Sequence, residues 1–522
     1  MIGDGTEKKI AFATTDRHPT LVLAGLILLA FALRFARLGE WGFDSDEIFM
    51  LRDSLHLRLT NPRPLLYALN HFLLAPLVPL NEFWLRFLPA VFGALAVPVF
   101  YFVSRRLLGT RAALFGTLLV TLSPQLLIFS QFGRYWSLVF LLAALYPYAI
   151  YIGLRERNRG ALAVGLVSGV LATLAHPATV LLVGGPAILA LATYLRPRYL
   201  RPLWSQRRVR WGALVAVVLG VAIALRFVPI LQGWISSHDE NPGSGQFLLP
   251  PSRGGLKPFI YLLAYVEGLT LPVALTGAVG IYLLWRERDR GLALFLASLV
   301  LFPVVFLSLI LFRTPVSTYY LLPASPVFFM GAGVFLDRVF QVDWKLRPRW
   351  LLPATLLVVI LIPGMPTLIS QFLNGRRYDF KGVAHWLKPR LTPGDAIVSD
   401  QPVALGHYLP GIEVQRLRYN TAPLEESVRA VQRSGQGGAL WIVAPVPAHA
   451  FRTNLKPGGL IRWIYDNCQL SNTVGRSRVD FRQQYLQVYR CPPAPAPPSG
   501  TAAARGDAED ATVSPLRAST SR

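Results

Sequence analysis

LVLAGLILLAFALRFARLGEWGFDSDEIF, residues 21–49, runs from an unbroken apolar stretch straight into a loop dense in carboxylates. The apolar part is about as long as the ~20 residues a helix needs to cross a bilayer, so it reads as a membrane span. Lys8, Lys9 and Arg17 precede it, and no small-residue cleavage site follows, so an uncleaved first helix is expected after a tail at 1–19.

Runs of this kind recur to residue 371, and the composition agrees with them. Only 15% of residues are charged, against roughly 25% in a soluble domain. Hydrophobic residues make up 53% and the mean hydropathy is +0.42. The expected fold is an α-helical polytopic membrane protein with about eleven transmembrane helices, at 20–36, 83–104, 112–130, 135–153, 161–176, 178–195, 212–231, 259–285, 291–312, 318–338 and 351–371.

The net charge of +24 in a soluble protein would suggest nucleic acid. Here the arginines sit in short clusters between apolar spans, which excludes that reading. The clusters Arg105–Arg111, Arg155–Arg159, Arg196–Arg210, Arg286–Arg290 and Arg338–Arg349 alternate with connections near Gln131–Arg134, His176 and Arg313 that carry at most one cation each. By the positive-inside rule the clusters are cytoplasmic, as is the N-terminus. The loop at 37–82 dissents, placing Arg37, Arg52, Arg58 and Arg63 outside. Arginine-rich, lysine-poor usage points to a GC-rich bacterial genome, and hence to a bacterial cytoplasmic (inner) membrane.

An odd number of spans leaves 376–490 outside. Tyr378–Arg390 reads as an amphipathic helix, Leu391–Asp395 as a turn, and Ala396–Ser399, Gly411–Leu417, Ala439–Ala444 and Tyr485–Tyr489 as strands, with a helix near Leu424–Arg433. This is a small extracytoplasmic α/β domain, followed by a Pro/Ala/Ser-rich tail at 491–522 that reads as disordered. Cys468 and Cys491 rule out a Cys-rich metal centre and leave two readings open, one disulfide or two free thiols.

The transmembrane domain at 20–375 carries the chemistry. Glu40, Asp44, Asp46, Glu47 and Asp53 fall in the first loop of a chain with only 28 acidic residues. A carboxylate at the lipid–water boundary is partly desolvated, which raises its basicity. By density alone, a solvated loop with a helix N-cap at Ser45 or Asp46 weighs as much. Next, Asn61-Pro62-Arg63-Pro64-Leu65-Leu66-Tyr67 opens a short apolar run that suits an interfacial or re-entrant helix. Then Ser130-Gln131-Phe132-Gly133-Arg134-Tyr135 lies at a tight turn, where Arg134 either snorkels to headgroups or binds a lipid phosphate. Further polar residues at membrane depth on the same side are Arg86, His176, Glu267, Arg313 and Tyr319–Tyr320.

In order, Asp46-Glu47, the Pro-rich turn ending at Tyr67, Arg86–Ala90, Ser130–Tyr135 and Tyr319–Pro323 with Pro326 resemble the GT-C glycosyltransferases. The likeness is to the group holding aminoarabinose and galacturonosyl lipid A transferases and protein O-mannosyltransferases, and Asp379–Asp400 is similar to their outer domain. Asn61 in place of the usual His, and Arg63 between the prolines, depart from the pattern in ways that bear on the acceptor. The resemblance implies a polyprenyl-phosphate sugar donor, a catalytic carboxylate in the first outer loop, and transfer to a glycolipid, glycan or protein outside the cytoplasm. On this reading Asp46, with Glu47 and Asp44, is catalytic. Arg134, Arg63, Arg313 and His176 take the donor phosphate, and Tyr135, Tyr67, Arg86, Glu267 and Tyr320 contact substrate. A divalent cation on Asp44, Asp46 and Glu47 is left open. The rival classes are a lipid or sugar transporter, which calls for internal repeats not visible here, and a non-catalytic envelope scaffold, which leaves the acidic loop without purpose.

Overall fold

The computed structural model describes residues 17–57, 61, 63–194, 268–287, 289–310, 318–342, 351–375, 377–417, 438–445, 460–475 and 485–492. The expected span 212–231, the helix near 424–433, Glu267 and Arg313 lie outside them.

Among the described residues, six helices are long and apolar enough to cross a membrane, or seven if one bent pair counts as a single span. This is a multi-pass membrane protein. The first is α1, Arg17–Phe35, followed by two short helices, α2 (Ser45–Leu55) and α3 (Pro64–Leu69), the latter continuing as a π turn over Asn70–Leu74. Phe72 and Leu73 are exposed on this run, the one expected as an interfacial or re-entrant helix. The span α4, Glu82–Leu108, starts on the Asn81 cap, whose side chain accepts from the Phe83 and Trp84 amides.

The expected span at 112–130 is bent. Its parts, α5 (Thr110–Leu122) and α6 (Pro124–Ser130), meet at 56°. Pro124 has no N–H to continue the ladder, and Ser123 caps the new helix instead. The fourth span divides into α7 (Trp136–Ala143) and α8 (Tyr146–Arg155), and the next two are the shorter α9 (Arg159–Ala175) and α10 (Leu181–Tyr194), separated at His176-Pro177.

After residue 267 come α11 (Leu271–Glu287), α12 (Arg290–Ile310), α13 (Ser325–Gln341), α14 (Leu351–Leu361) and α15 (Met365–Asn374). Tyr319–Gln341 and Leu351–Leu373 each pass as one span. Helices α11 and α13 touch backbone to backbone. A Cβ on Gly280 would stand 1.8 Å from the Gly331 carbonyl oxygen, so only glycine fits.

The C-terminal unit is a five-stranded mixed sheet of order β2-β1-β3-β5-β4, made of β1 (Ala396–Ser399), β2 (Val414–Arg416), β3 (Leu440–Pro445), β4 (Gln469–Val474) and β5 (Leu486–Cys491). β1 runs parallel to β2 and β3, whereas β5 is antiparallel to β3 and β4. Alternation sends Ile397, Trp441, Val443 and Val488 to one face, under α16 (Phe380–Leu387) and α17 (Pro402–Tyr408). Val398, Leu440, Ile442 and Tyr489 go to the other, beneath α18 (Leu460–Asn467). Ile48 and Tyr408 pack against both this core and the helical one, so the sheet unit is seated on the acidic loop.

Of the two readings left open for the cysteines, the structure takes the first. Cys468, just before β4, is bonded to Cys491 at the end of β5, with Cα atoms 4.1 Å apart. The loop it closes predicts a stabilisation of about 3 kcal/mol. Denatured, unreduced protein should therefore take up no thiol label, and reduction should lower the unfolding temperature of the sheet unit; labelling before reduction would contradict the pairing.

Candidate active site

The loop between α1 and α2 is wrapped around one guanidinium. Arg86, on α4, donates through all five of its N–H groups: to the carbonyls of Leu38 (3.1 Å), Trp41 (2.7 Å) and Gly42 (2.8 Å), and to both carboxylate oxygens of Glu47 (2.7 and 2.8 Å). Both side chains are fully buried. Glu47 Oε1 also accepts from the Gly133 amide at 2.6 Å, and Oε2 from Arg377 at 2.6 Å and the Asp44 amide at 3.1 Å. Asp44 and Glu47 thereby form a reciprocal capping box that starts α2. Burial alone would raise the Glu47 pKa, but the Arg377 and Arg86 guanidiniums overcome it and hold it down at about 2.

These contacts relocate two of the expected residues. Glu47 was expected to act on substrate, yet both its oxygens are committed and it has no exposure. Arg86, expected at the substrate, has no donor left. The cation suggested for Asp44, Asp46 and Glu47 does not fit either, because two arginines already occupy the Glu47 oxygens. Among the described residues no group of three His, Cys, Asp or Glu side chains is placed to hold a metal ion.

Asp46 differs from its neighbour. A turn of about 100° per residue brings its side chain out to 54% exposure. Arg134 donates to the Asp46 carbonyl at 3.0 Å and sets a second nitrogen 3.7 Å from its carboxylate. Glu40, in contrast, pairs with Arg37, and Asp53 accepts from Asn61 at 3.3 Å.

Beside Asp46 lies a cluster of cations and rings, each presented at a helix junction. Arg63 precedes α3, Arg134 and Tyr135 link α6 to α7, His176 separates α9 from the next turn, and Tyr320 lies in the 3-10 turn ahead of α13. The Arg63 and Arg134 guanidiniums stand 5.2 and 5.1 Å from the Tyr135 ring. Arg63 donates to the Tyr135 hydroxyl and, at 3.4 Å, to that of Tyr320. The His176 ring packs 4.9–5.1 Å from those of Tyr320, Trp136 and Tyr135. Its Nδ1 accepts from the Ala178 amide at 3.1 Å, so a neutral ring carries its proton on Nε2. Tyr67 is buried nearby, hydrogen-bonded to Asn61 and within the field of Arg134 and Arg63.

Three buried nitrogens here, Arg63 Nε, Arg134 Nε and His176 Nε2, have no hydrogen-bond partner among the described residues. Of this cluster Arg134 alone is recorded beside the Asp46 carboxylate, so two guanidiniums and an imidazole N–H outnumber the acceptors near them, and that excess of donors fits an anion with several acceptor oxygens.

The sequence reading missed three contributors from the C-terminal side. Arg377 has been met at Glu47. Tyr408 accepts from the Phe43 amide at 2.6 Å and donates to Glu82 at 3.1 Å. Asp400 follows β1 and precedes Gln401, which accepts from Ser45 at 3.0 Å. Burial pushes Asp400 up to about 7, with Asp44 adding to it, and burial with the Asp46 and Glu47 charges pushes Asp44 up to about 6. Only the paired Gly375-Arg376-Arg377 after the last span hinted at a cation there.

Two outcomes follow. Glu47→Ala leaves Arg86 and Arg377 as buried, unneutralised charges and should lower stability by about 3–5 kcal/mol, read as a reduced melting temperature in detergent. Protonating Asp44 and Asp400 favours the seated sheet unit, since both pKa values lie above the ordinary carboxylate range. Melting temperature should thus rise as pH falls from 8 to 6, and the Asp44→Asn, Asp400→Asn double variant should flatten that slope.

No family model matches this sequence, and no curated protein is similar to it at a significant level. Solved structures are similar in fold. ArnT from Cupriavidus metallidurans in the apo state matches with a TM-score of 0.50 and 15% identity, over 91% of this chain and 98% of ArnT. The same protein bound to undecaprenyl phosphate matches with a TM-score of 0.50 and 14% identity. The Archaeoglobus fulgidus oligosaccharyltransferase in the apo form gives a TM-score of 0.52 and 13% identity, over 83% of this chain and 70% of that one. Both neighbours are GT-C glycosyltransferases. The chain shares the fold of these neighbours, a polytopic helical membrane domain with a C-terminal domain.

Proposed function

We propose that this protein is a membrane glycosyltransferase that moves a sugar from a polyprenyl-phosphate donor to a glycolipid, glycan or protein acceptor. The observation that carries the reading is the exposed Asp46 carboxylate beside Arg134, which belongs to a cluster where buried nitrogens of Arg63, Arg134 and His176 have no partner among the described residues. ArnT, similar in fold, is bound to undecaprenyl phosphate in one of its structures, which supports a lipid-linked donor here.

The reaction is one inverting displacement. Asp46 accepts the proton of an acceptor hydroxyl as its oxygen forms a bond to the anomeric carbon. The bond from that carbon to the phosphate oxygen breaks, and its electron pair leaves with the polyprenyl phosphate. A phosphate anion is a stable leaving group, so no acid is required opposite Asp46. Stabilising the charge that grows on it falls to Arg134 and Arg63, with the Nε2–H of His176 as a neutral donor. Tyr135, Tyr320 and Tyr67, beside these cations, orient the donor. Glu47 and Arg86 hold the loop, and Asp44 caps the helix bearing Asp46.

The positive-inside alternation supports a cytoplasmic N-terminus, with the acidic loop and the 376–490 domain on the other side. The disulfide supports that side too, since such bonds persist in oxidising compartments. A donor carried on lipid suits a face to which nucleotide sugars have no access.

Membranes given a labelled lipid-linked sugar should transfer label to an acceptor. Asp46→Asn should abolish transfer while expression and insertion stay normal. Arg134→Ala should raise the donor KM by about tenfold or more. Full activity in the Asp46 variant would remove the mechanism, and an unchanged donor dependence would remove the role given to Arg134.

A further inference from the structure

Glu47 carries one negative charge and meets two guanidiniums, although Arg86 alone already engages both of its oxygens. The second cation, Arg377, is itself buried, with a side chain only 9% exposed. Burying a surplus guanidinium costs free energy, so neutralising Glu47 does not account for it. What else Arg377 touches does. It donates to the Gln131 carbonyl at 3.1 Å and its guanidinium lies 5.3 Å from the Phe132 ring. Glu47, which it holds, accepts from the amide of Gly133, and Arg134 is the next residue. On the other side of Glu47 is Asp46. Gln131 is tied in turn to the end of α1, donating to the Leu33 and Ala36 carbonyls at 3.0 and 2.8 Å, and accepts from Gln371 on α15 at 2.8 Å.

Local geometry brings Arg377 to this place. Helix α15 ends at Gly375, in the left-handed conformation with φ +68°. A Cβ there would lie 2.4 Å from the Trp41 ring, so the chain turns tightly under Trp41. Two residues later Arg377 points back into the loop, and Asp379 starts α16 of the sheet unit.

We propose that Arg377 is a positioning residue: by gripping Glu47 and the Gln131 carbonyl together, it fixes the spacing between Asp46 and Arg134, and so couples seating of the C-terminal domain to assembly of the donor-phosphate site. This rests on the function proposed above for Asp46 and Arg134. Arg377 touches neither substrate, and a lysine cannot replace it, because one ammonium does not reproduce a planar fork spanning two acceptors.

The test uses the full-length protein in membranes, with wild type, Asp46→Asn, Arg377→Lys and Arg377→Met side by side. Transfer from the labelled lipid-linked sugar is measured against donor and acceptor separately. Amide hydrogen exchange is followed over the Gln131–Tyr135 turn, with the melting temperature recorded for each. Arg86 still neutralises Glu47 in both Arg377 variants, so they should fold, and Arg377→Lys keeps the charge if Arg377→Met does not. The expected result is faster exchange in that turn, donor KM raised about tenfold, acceptor KM unchanged, and melting within a few degrees of wild type. Wild-type exchange in the turn, or faster exchange with wild-type donor KM, would each overturn the proposal. If wild-type membranes transfer no label, the enzymatic reading fails by itself, and the exchange arm alone then decides whether Arg377 holds the turn.

Discussion

A carboxylate withdrawn from water keeps its charge only when cations and amide protons replace each water it has lost. Glu47 is in that position, and what replaces its water comes from four separate stretches of chain: Arg86 from α4, the Gly133 amide from the α6–α7 turn, Arg377 from beyond α15, and the Asp44 amide from its own loop. Loop, turn and domain linker are therefore held to a single anion. Remove it and Arg86 and Arg377 repel each other without a partner, while the carbonyls of Leu38, Trp41 and Gly42 remain bound to one of them.

That anchoring gives meaning to adjacent acids of the same charge. On a helix, neighbouring residues diverge by about 100°, so one of the Asp46-Glu47 pair can face the core while the other faces out. Glu47 takes the core, and Asp46 keeps 54% of its side chain open. The buried member is locked by two arginines, and the open member reaches solvent beside Arg134.

How much of this could be read beforehand depended on the range of the interaction. Span positions were legible because hydropathy is a local sum: α1, α4, α12 and the helices ending at Gln341 and Leu373 fall where the apolar runs are. Pro124 marks the break in the third span, but hydropathy runs on through it and predicts one continuous helix where the structure bends by 56°. Strand β4 was missed because QLSNTV is a sheet edge with mostly exposed residues, so no apolar face marks it. In the site, Arg63, Arg134, His176 and Tyr320 were each visible as polar residues beside apolar runs. Which of the acids would be buried was not, because α2 is only eleven residues long and carries its acids in the first turn. Arg377 is marked only by the paired arginines after the last span, and its pairing with Glu47 is not, because that partner lies 330 positions away.

Helix breaks also explain why the cation cluster can exist in a mainly apolar chain. A continuous helix satisfies its own amides and carbonyls and leaves none to orient a side chain. At a break the freed groups turn outward, and here they do so where the residues of the candidate site sit. His176 is held by the Ala178 amide at the gap between two helices, and Arg134 follows a turn fixed through the Gly133 amide. Arg34, buried on α1, donates to the Val120 and Thr121 carbonyls (both 3.4 Å) in the last turn of α5, just before the bend at Pro124. The bend thus has its own cap, and α6 departs from it toward Arg134 at a fixed angle. Polar residues that hydropathy counts against a membrane span are, in this chain, what lets the span bend and present a charge where the site needs it.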